Sequence, residues 1–146
     1  MDKGEYSGSG PVRCFTDGAS RGNPGPSAYA FVVYSEGDLL YEESGFIGTA
    51  TNNIAEYHAV INALRWLKDF THGQIELFSD SELVIRQLSG VYAVKQPHLR
   101  ELYRNVKLLE PSFRSVTYTA VPRDHQGIQR ADELCNRTLD EALQRK

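Results

Sequence analysis

The sequence predicts an α/β fold in which helices flank a mixed β-sheet. Three short apolar runs separated by turn residues occupy residues 12–46, and a strand–helix–strand segment spans residues 53–79. Helical and extended patterns then alternate towards the end of the chain. Because a strand–helix–strand crossover places its two strands parallel, whereas short turns connect antiparallel strands, the sheet must contain both kinds of pair.

The first part of the chain is predicted to be an antiparallel meander. Residues 12–17, 28–35 and 39–46 are rich in β-branched and aromatic side chains, which favours strands. Residues 18–26, GASRGNPGP, form a tight connection, because Gly, Pro and Asn favour turns. Residues 36–38 supply the turn of a hairpin. The three strands are therefore expected to be neighbours.

The remaining elements follow from the period of the apolar residues. From Asn53 onward these recur every three or four positions, which indicates a helix that ends near residues 71–73. Pro97 opens a later helix, because proline is favoured in the first turn. The other predicted elements are a strand at 75–79, a short helix at 81–88, a strand at 115–121 and a last helix at 129–143. The full order is βββαβααβα.

Length and composition indicate one globular domain. The chain has 146 residues, of which 40% are hydrophobic and 24% are charged, and this is enough for a hydrophobic core. We expect a flexible tail at residues 1–11, a single domain at residues 12–146 and a monomer. No apolar stretch approaches the ~18 residues of a membrane helix, and the N-terminal sequence lacks the apolar segment of a signal peptide.

The two cysteines, Cys14 and Cys135, are too few for a disulfide framework, and their spacing matches no zinc site. We expect both to be small buried side chains. This cysteine usage is typical of a reducing compartment, so the predicted location is cytoplasmic and no contact with a membrane is expected.

Charge is unevenly distributed along the chain. The formal net charge is −3, but residues 1–85 contain 5 Lys/Arg and 12 Asp/Glu, whereas residues 86–130 contain 8 Lys/Arg and 3 Asp/Glu. An acidic first half and a basic later segment suit a protein that binds metal ions with one part and phosphates with another. Chance variation among solvated charges explains this observation equally well when it is taken alone.

Four acidic residues lie in separate contexts that each suit a metal site: Asp17 in FTDGASRGNPG, Glu56 in TNNIAEYHA, Asp80 in LFSDSELV and Asp132 in QRADELCN. Carboxylates brought to one point repel each other, and such a cluster persists mainly where cations neutralise it. Carboxylates that hold a pair of Mg²⁺ ions are common in enzymes that cut phosphodiesters. Taken singly, each acidic residue is also explained as a solvated group or a helix cap.

The same motifs, in their order, resemble type 1 ribonuclease H. They are TDGASRGNPGP, TNNIAE, SDSELV, and VPRDH followed by ADELCN, and the resemblance covers residues 12–143. It implies a ribonuclease H-like fold with a five-stranded mixed sheet in the order 3-2-1-4-5, which fits the element order above. It also implies an endonuclease that hydrolyses the RNA strand of RNA/DNA hybrids and leaves 5′-phosphate and 3′-hydroxyl ends.

The resemblance assigns the metal-binding and catalytic roles to Asp17, Glu56, Asp80 and Asp132. These residues would hold two Mg²⁺ ions about 4 Å apart, with Mn²⁺ as a substitute. One ion would orient the attacking hydroxide, and the other would stabilise the leaving 3′ oxygen. Asp17 is expected to end the first strand and Asp80 to follow the fourth, which would be its neighbour, and Glu56 and Asp132 are expected in the first turns of their helices.

The resemblance also implies contacts with the RNA/DNA hybrid. Amides and main-chain groups distinguish ribose 2′-hydroxyls, since they both donate and accept hydrogen bonds. The implied substrate-binding residues are Gly18, Asn23, Thr51, Asn52, Asn53 and Lys95. Turn and helix-cap roles explain Asn23 and Asn52 as well. Some family members carry a basic protrusion where this chain has only residues 89–98, so the chain resembles the compact bacterial and archaeal branch of the family. We therefore expect weaker binding of the hybrid than in members with the protrusion, with some phosphate contact from Lys95, Arg100, Arg104 and Lys107.

His125 lies in RDHQGIQ, where the family often places a mobile histidine that shuttles protons or aids product release. A side chain that titrates near neutrality suits that role, and an exposed loop residue is the alternative. Glu82 stands where a neutral residue such as Gln is often found.

Two other functions stay open at this point: a broader nuclease that also cuts double-stranded RNA, and a catalytically silent module that binds hybrids. The complete acidic quartet argues against the silent module, because such a module has no reason to keep four carboxylates that repel each other.

Overall fold

The structure, a computed structural model, describes residues 10–144. A single five-stranded sheet has the order β3-β2-β1-β4-β5, which confirms the predicted order. The first three strands pair antiparallel, and β4 pairs parallel with both β1 and β5. The strands are β1 (Val12–Ser20), β2 (Gly25–Ser35), β3 (Asp38–Ala50), β4 (Gln74–Ser79) and β5 (Ser115–Ala120).

Four α-helices cover the two faces of this sheet. Buried residues of α1, α2 and α3 form one core with the sheet, and buried residues of α4 form a second core on the opposite face. Strand β2 serves both, because its alternate residues point to opposite faces: Phe31 and Val33 belong to the first core, and Val32 belongs to the second. The helices are α1 (Asn52–Lys68), α2 (Glu82–Leu88), α3 (Pro97–Leu109) and α4 (Gln126–Gln144), and a 3₁₀ turn spans Glu110–Ser112.

The parallel pairing of β1 with β4 determines which residues meet at the sheet edge. Phe15 of β1 is aligned with Phe78 of β4. Asp17 and Asp80 each lie two residues further along the chain, so both carboxylates are found at the same edge of the sheet, where β1 and β4 approach their carboxyl ends. Thr16 reinforces this alignment, because its Oγ1 donates a 3.1 Å hydrogen bond to the main-chain oxygen of Phe78.

The strands of the meander are longer than the sequence predicts. β1 continues to Ser20 and β2 begins at Gly25, so the tight connection predicted at residues 18–26 is reduced to residues 21–24. β3 extends past residue 46 to Ala50, although the register shifts between Ser27 and Ala28. The extension is held by the hydroxyls of Ser20 and Ser27, which each donate a 3.0 Å hydrogen bond to the oxygen of Ala50.

Two helix boundaries also differ from prediction. α1 ends at Lys68, and the N–H groups of Phe70 and Thr71 then both bond to the oxygen of Leu67, which closes the helix in a tight turn. α4 begins at Gln126, three residues before the predicted start. The buried residues of α4 include Ile128, Ala131, Leu134, Cys135 and Leu139.

Both cysteines, Cys14 and Cys135, are buried, as predicted, and both are free thiols.

The predicted flexible tail at residues 1–11 lies outside the described residues, except for Gly10 and Pro11. Within residues 10–144, no helix combines the length and apolar character required to cross a bilayer.

Candidate active site

Three carboxylates meet at the edge of the sheet. Asp17, Glu56 and Asp80 each present an oxygen atom, and these oxygens lie within 4.8 Å of one another. They come from strand β1, from α1 and from the residue that follows β4. Glu56 is the fifth residue of α1 and lies beyond its first turn, so the prediction of a first-turn position was wrong for this residue. Asp17 and Glu56 are 5% and 8% exposed, so water does little to screen their charges.

The fourth carboxylate, Asp132, approaches from α4. Its charge raises the pKa of Asp17, so the two carboxyl groups lie close to each other. Because α4 begins at Gln126, Asp132 lies in the second turn of the helix, and the prediction of a first-turn position was wrong. All four carboxylates line one open depression of ≈ 380 Å³, together with Gly18, Asn52, Asn53, Ser81 and Arg123.

A close approach between β1 and α1 positions Glu56. The main-chain N–H of Gly18 donates a 2.6 Å hydrogen bond to Oε1 of Glu56. A Cβ atom on Gly18 would lie 2.3 Å from the carbonyl carbon of Ala55, so no other residue fits there without moving the helix. Thr51 starts the helix, because its side chain accepts a 3.3 Å hydrogen bond from the N–H of Ile54.

Burial and mutual repulsion make the ionised form of this cluster unfavourable. Burial, followed by the charges of Asp80 and Asp132, raises the pKa of Asp17 to about 8. Burial and the charges of Asp17 and Asp80 raise the pKa of Glu56 well above its usual value, although the N–H of Gly18 opposes this shift. Burial also raises the pKa of Asp80. A positive ligand would therefore be strongly favoured at this point.

Arg123 places a positive charge beside the carboxylates. It is exposed and lines the depression, and its guanidinium lowers the pKa values of Asp17, Glu56 and Asp80 without reversing their upward shifts. Arg123 was not among the site residues predicted from the sequence. A signal for Arg123 is nevertheless present in the sequence, because this residue lies in the VPRDH motif and in the basic segment of the chain.

The donor set fits divalent cations that prefer oxygen ligands. Carboxylate oxygens in close proximity suit Mg²⁺ or Mn²⁺, whereas zinc sites are built mainly from Cys and His. The raised pKa values of Asp17 and Glu56 mean that the ionised carboxylates are unfavourable in the metal-free protein. Bound cations would neutralise this negative charge. Asp17, Glu56, Asp80 and Asp132 are the residues that could hold them.

The sequence and the fold of this chain are similar to those of known proteins. A family model described as reverse transcriptase-like matches residues 15–138. The chain is 44% identical over 134 residues to Ribonuclease HI of Halobacterium salinarum, and the match covers 91% of this chain and 66% of that protein. The crystal structure of RNase H1 from that archaeon superposes with a TM-score of 0.85 over 90% of this chain and 99% of the other. The chain belongs to the type 1 ribonuclease H family.

Two further relatives in the type 1 ribonuclease H family bear on function. LC11-RNase H1, solved in complex with an RNA/DNA hybrid, is 38% identical with a TM-score of 0.84 over 90% of this chain and 99% of that chain. The bifunctional protein Rv2228c of Mycobacterium tuberculosis is 40% identical over 130 residues, which are 88% of this chain and 35% of that protein. Its N-terminal RNase H domain has a TM-score of 0.86, covering 93% of this chain and 98% of that domain. The chain thus spans about two thirds of the archaeal relative and about a third of the mycobacterial one.

The predicted substrate-binding residues fall into two groups in this ribonuclease H fold. Gly18, Asn52 and Asn53 line the carboxylate depression. Asn23 and Thr51 do not line it: the Oδ1 atom of Asn23 accepts a 3.0 Å hydrogen bond from the N–H of Asn52, and Thr51 caps α1. Asn23 therefore links the β1–β2 loop to the start of α1 and fixes the backbone that carries Asn52.

His125 does not line the carboxylate depression. It lines a separate cavity of ≈ 450 Å³ with Phe15 and Tyr34, and its ring stacks on that of Phe15 at 4.9 Å. Its Nδ1 accepts a 3.1 Å hydrogen bond from the N–H of Gly127, so the side chain caps the start of α4. The structure gives His125 this capping contact, and its catalytic role stays a prediction.

The four basic residues from which phosphate contacts are expected, one before α3 and three within it, also separate into two kinds. Lys95, Arg100 and Arg104 are exposed, and no ion pair involves them within residues 10–144. Lys107 instead donates a 2.7 Å hydrogen bond to the oxygen of Leu88 and a 3.0 Å bond to Glu110, and it lies over two tyrosine rings. Its ammonium is engaged inside the fold, so the expected phosphate contact by Lys107 is not supported. Lys95 does not line the carboxylate depression.

Proposed function

We propose that this chain hydrolyses the RNA strand of RNA/DNA hybrids at the carboxylate depression, with divalent cations as cofactors. The observation that carries the proposal is the convergence of Asp17, Glu56 and Asp80 to within 4.8 Å, with Asp132 beside them. Membership of the type 1 ribonuclease H family supports it, and so does the likeness to LC11-RNase H1, which was solved with a hybrid.

The four carboxylates would hold two Mg²⁺ ions, with Mn²⁺ as a substitute. When bound, such cations activate water for attack on the scissile phosphorus and neutralise charge on the departing 3′ oxygen. The products are a 5′-phosphate and a 3′-hydroxyl.

The protein's own contribution is to fix the carboxylates before substrate arrives. Gly18 orients the carboxylate of Glu56 through its N–H, and the β1–β4 alignment brings Asp17 and Asp80 to the same edge. A site held in this way requires little reorganisation during the reaction. Arg123, exposed at the rim, would attract the phosphate that flanks the scissile bond.

Selectivity for the RNA strand requires groups that sense a 2′-hydroxyl. Asn52 and Asn53 line the depression beside Glu56, and an amide can both donate to and accept from a hydroxyl. Asn23 would act through its hydrogen bond to the N–H of Asn52. Lys95, Arg100 and Arg104 would add phosphate contacts further along the duplex, in a chain whose residues 86–130 are basic.

The proposal is tested with three duplexes of one sequence, RNA/DNA, RNA/RNA and DNA/DNA, each labelled on either strand and incubated with Mg²⁺ or with EDTA. We expect Mg²⁺-dependent cleavage of the RNA strand in the hybrid alone. Comparable cleavage of RNA/RNA would identify the broader nuclease. Binding of the hybrid without any cleavage would identify the silent module, and cleavage in EDTA would contradict the assignment of divalent cations.

A further inference from the structure

Asp132 is held differently from the other three carboxylates. It lies on the flank of α4, is half-buried, and does not belong to the group of three oxygens that lie within 4.8 Å of one another. A carboxylate on a solvent-facing helix flank is free to turn about its side-chain bonds, unless another group restrains it. The residue that restrains Asp132 is Asn136, one turn later on the same face of the helix.

The amide of Asn136 contacts Asp132 at two points. Nδ2 donates a 3.2 Å hydrogen bond to Oδ2 of Asp132 and a 3.1 Å hydrogen bond to its main-chain oxygen. The first bond occupies one carboxylate oxygen with a neutral donor, and the second fixes the amide to the helix backbone. One oxygen of Asp132 is therefore engaged while the carboxyl group still reaches Asp17.

Arg21, from the loop between β1 and β2, determines which way the amide of Asn136 points. Its Nη2 donates to Oδ1 of Asn136 at 3.5 Å and to the main-chain oxygen of Asn136 at 3.4 Å, and it forms a 2.7 Å ion pair with Asp140. A guanidinium has only donors, so it bonds the amide oxygen and leaves the amide nitrogen directed at Asp132.

We propose that Asn136 and Arg21 are positioning residues for cation binding, and that they hold the carboxylate of Asp132 in the orientation in which it contacts the cations. This inference rests on the proposed function. The partners that orient a metal ligand commonly affect metal affinity by about 10–100-fold. Neither residue is expected to contact the RNA/DNA hybrid or the cations.

The test is calorimetric titration of Mg²⁺ alone into the full chain, without nucleic acid, together with the Mg²⁺ dependence of its melting temperature. We expect Asn136→Ala to weaken Mg²⁺ binding by at least about tenfold. Arg21→Gln should weaken Mg²⁺ binding less, because the amide of Asn136 remains present but is free to rotate. In hybrid cleavage, the Mg²⁺ concentration for half-maximal rate should rise while KM for the hybrid at saturating Mg²⁺ stays constant.

Two control variants distinguish positioning from general stability. Asn62 donates a 2.8 Å hydrogen bond to the main-chain oxygen of His58, the same helical geometry without a carboxylate partner, so Asn62→Ala should leave Mg²⁺ affinity unchanged. Asp140→Asn removes the ion pair of Arg21 and should leave it unchanged too. Equal Mg²⁺ affinities for Asn136→Ala and Asn62→Ala would overturn the inference. An absence of any Mg²⁺ binding by the wild-type chain would instead overturn the proposed function.

Discussion

The main-chain N–H of Gly18 donates a 2.6 Å hydrogen bond to Oε1 of Glu56 and so joins the end of the central strand to the N-terminal part of α1. Gly18 directly follows Asp17, so one short segment supplies a carboxylate and orients another. The contact depends on the absence of a side chain at residue 18. It makes the relative position of Asp17 and Glu56 a property of the backbone rather than of flexible side chains.

Gly18→Ala tests this contact. The added Cβ would overlap the backbone of Ala55, so the first turn of α1 must move away from β1. Because displacements of about 1 Å in an active site can cost a factor of about 100 in rate, we expect hybrid cleavage to fall by at least that factor. Gly73→Ala is the matched control, since its Cβ would meet nothing closer than Oγ1 of Thr71 at 3.4 Å. Near wild-type activity in Gly18→Ala would show that the contact is dispensable.

The metal-free protein should lose stability as pH rises from about 4 to about 8. Asp17 has its pKa raised to about 8 in the folded state, so in this range the folded protein binds a proton that the unfolded chain has released. The free energy of unfolding then falls with rising pH, by up to about 1.4 kcal/mol per pH unit for one proton. Urea unfolding in EDTA at several pH values measures this slope.

Asp17→Asn is the variant that separates this effect from the rest of the protein. An amide cannot titrate, so the variant should show a flatter pH dependence in EDTA and gain stability relative to the wild type at the upper end of the range. Identical slopes in the two proteins would contradict the raised pKa of Asp17.

Arg123→Gln should affect nucleic acid and cations in opposite directions. Loss of a charge-assisted contact to phosphate, worth about 1.5–3 kcal/mol, should raise KM for the hybrid by about tenfold or more. Mg²⁺ affinity should stay equal or increase, because a positive charge near the carboxylates has been removed. Steady-state kinetics and calorimetry on the same sample measure both quantities. A fall in Mg²⁺ affinity with an unchanged KM would contradict this role.

His125→Ala separates the capping contact from a catalytic role. Loss of the hydrogen bond to the N–H of Gly127 should cost about 1 kcal/mol of folding stability. If the histidine also shuttles protons, the maximal rate of hybrid cleavage should fall at a temperature where the variant is fully folded. His98→Ala, at an exposed position in α3, serves as the control. Lower stability with an unchanged rate would leave His125 as a cap alone.

Much of the fold and the carboxylate site could be predicted from the sequence, because both depend on regular patterns. Asp17 and Asp80 follow apolar runs that had to be neighbouring strands, and the family motifs supplied Glu56 and Asp132. The start of α4 was placed three residues late, since the cap is a histidine, which is not among the usual N-cap types. β3 was ended early, because the register shift at Ser27/Ala28 interrupts its alternation.

Side-chain contacts between distant segments could not be predicted in this way. An exposed arginine in a turn has no periodicity, so only its place in the VPRDH motif and in the basic segment connected Arg123 with the carboxylates. Lys107 resembled a free surface charge in the sequence, whereas the fold directs its ammonium to the oxygen of Leu88. The contact between Arg21 and Asn136 joins residues that are 115 positions apart in the chain.

The most direct test of the central claim compares the wild-type chain with Asp17→Asn in cleavage of an RNA/DNA hybrid labelled on the RNA strand, at saturating Mg²⁺ and in EDTA. Circular dichroism confirms that both proteins are folded. We expect the wild type to cleave only with Mg²⁺. Asp17→Asn should be inactive, because the substitution removes a central carboxylate while the new side chain keeps nearly the same shape. Removal of an interaction at the reacting centre is expected to lower the rate by far more than about tenfold. Residual activity of Asp17→Asn within about tenfold of the wild type would therefore contradict the assignment of the carboxylates as the catalytic metal site.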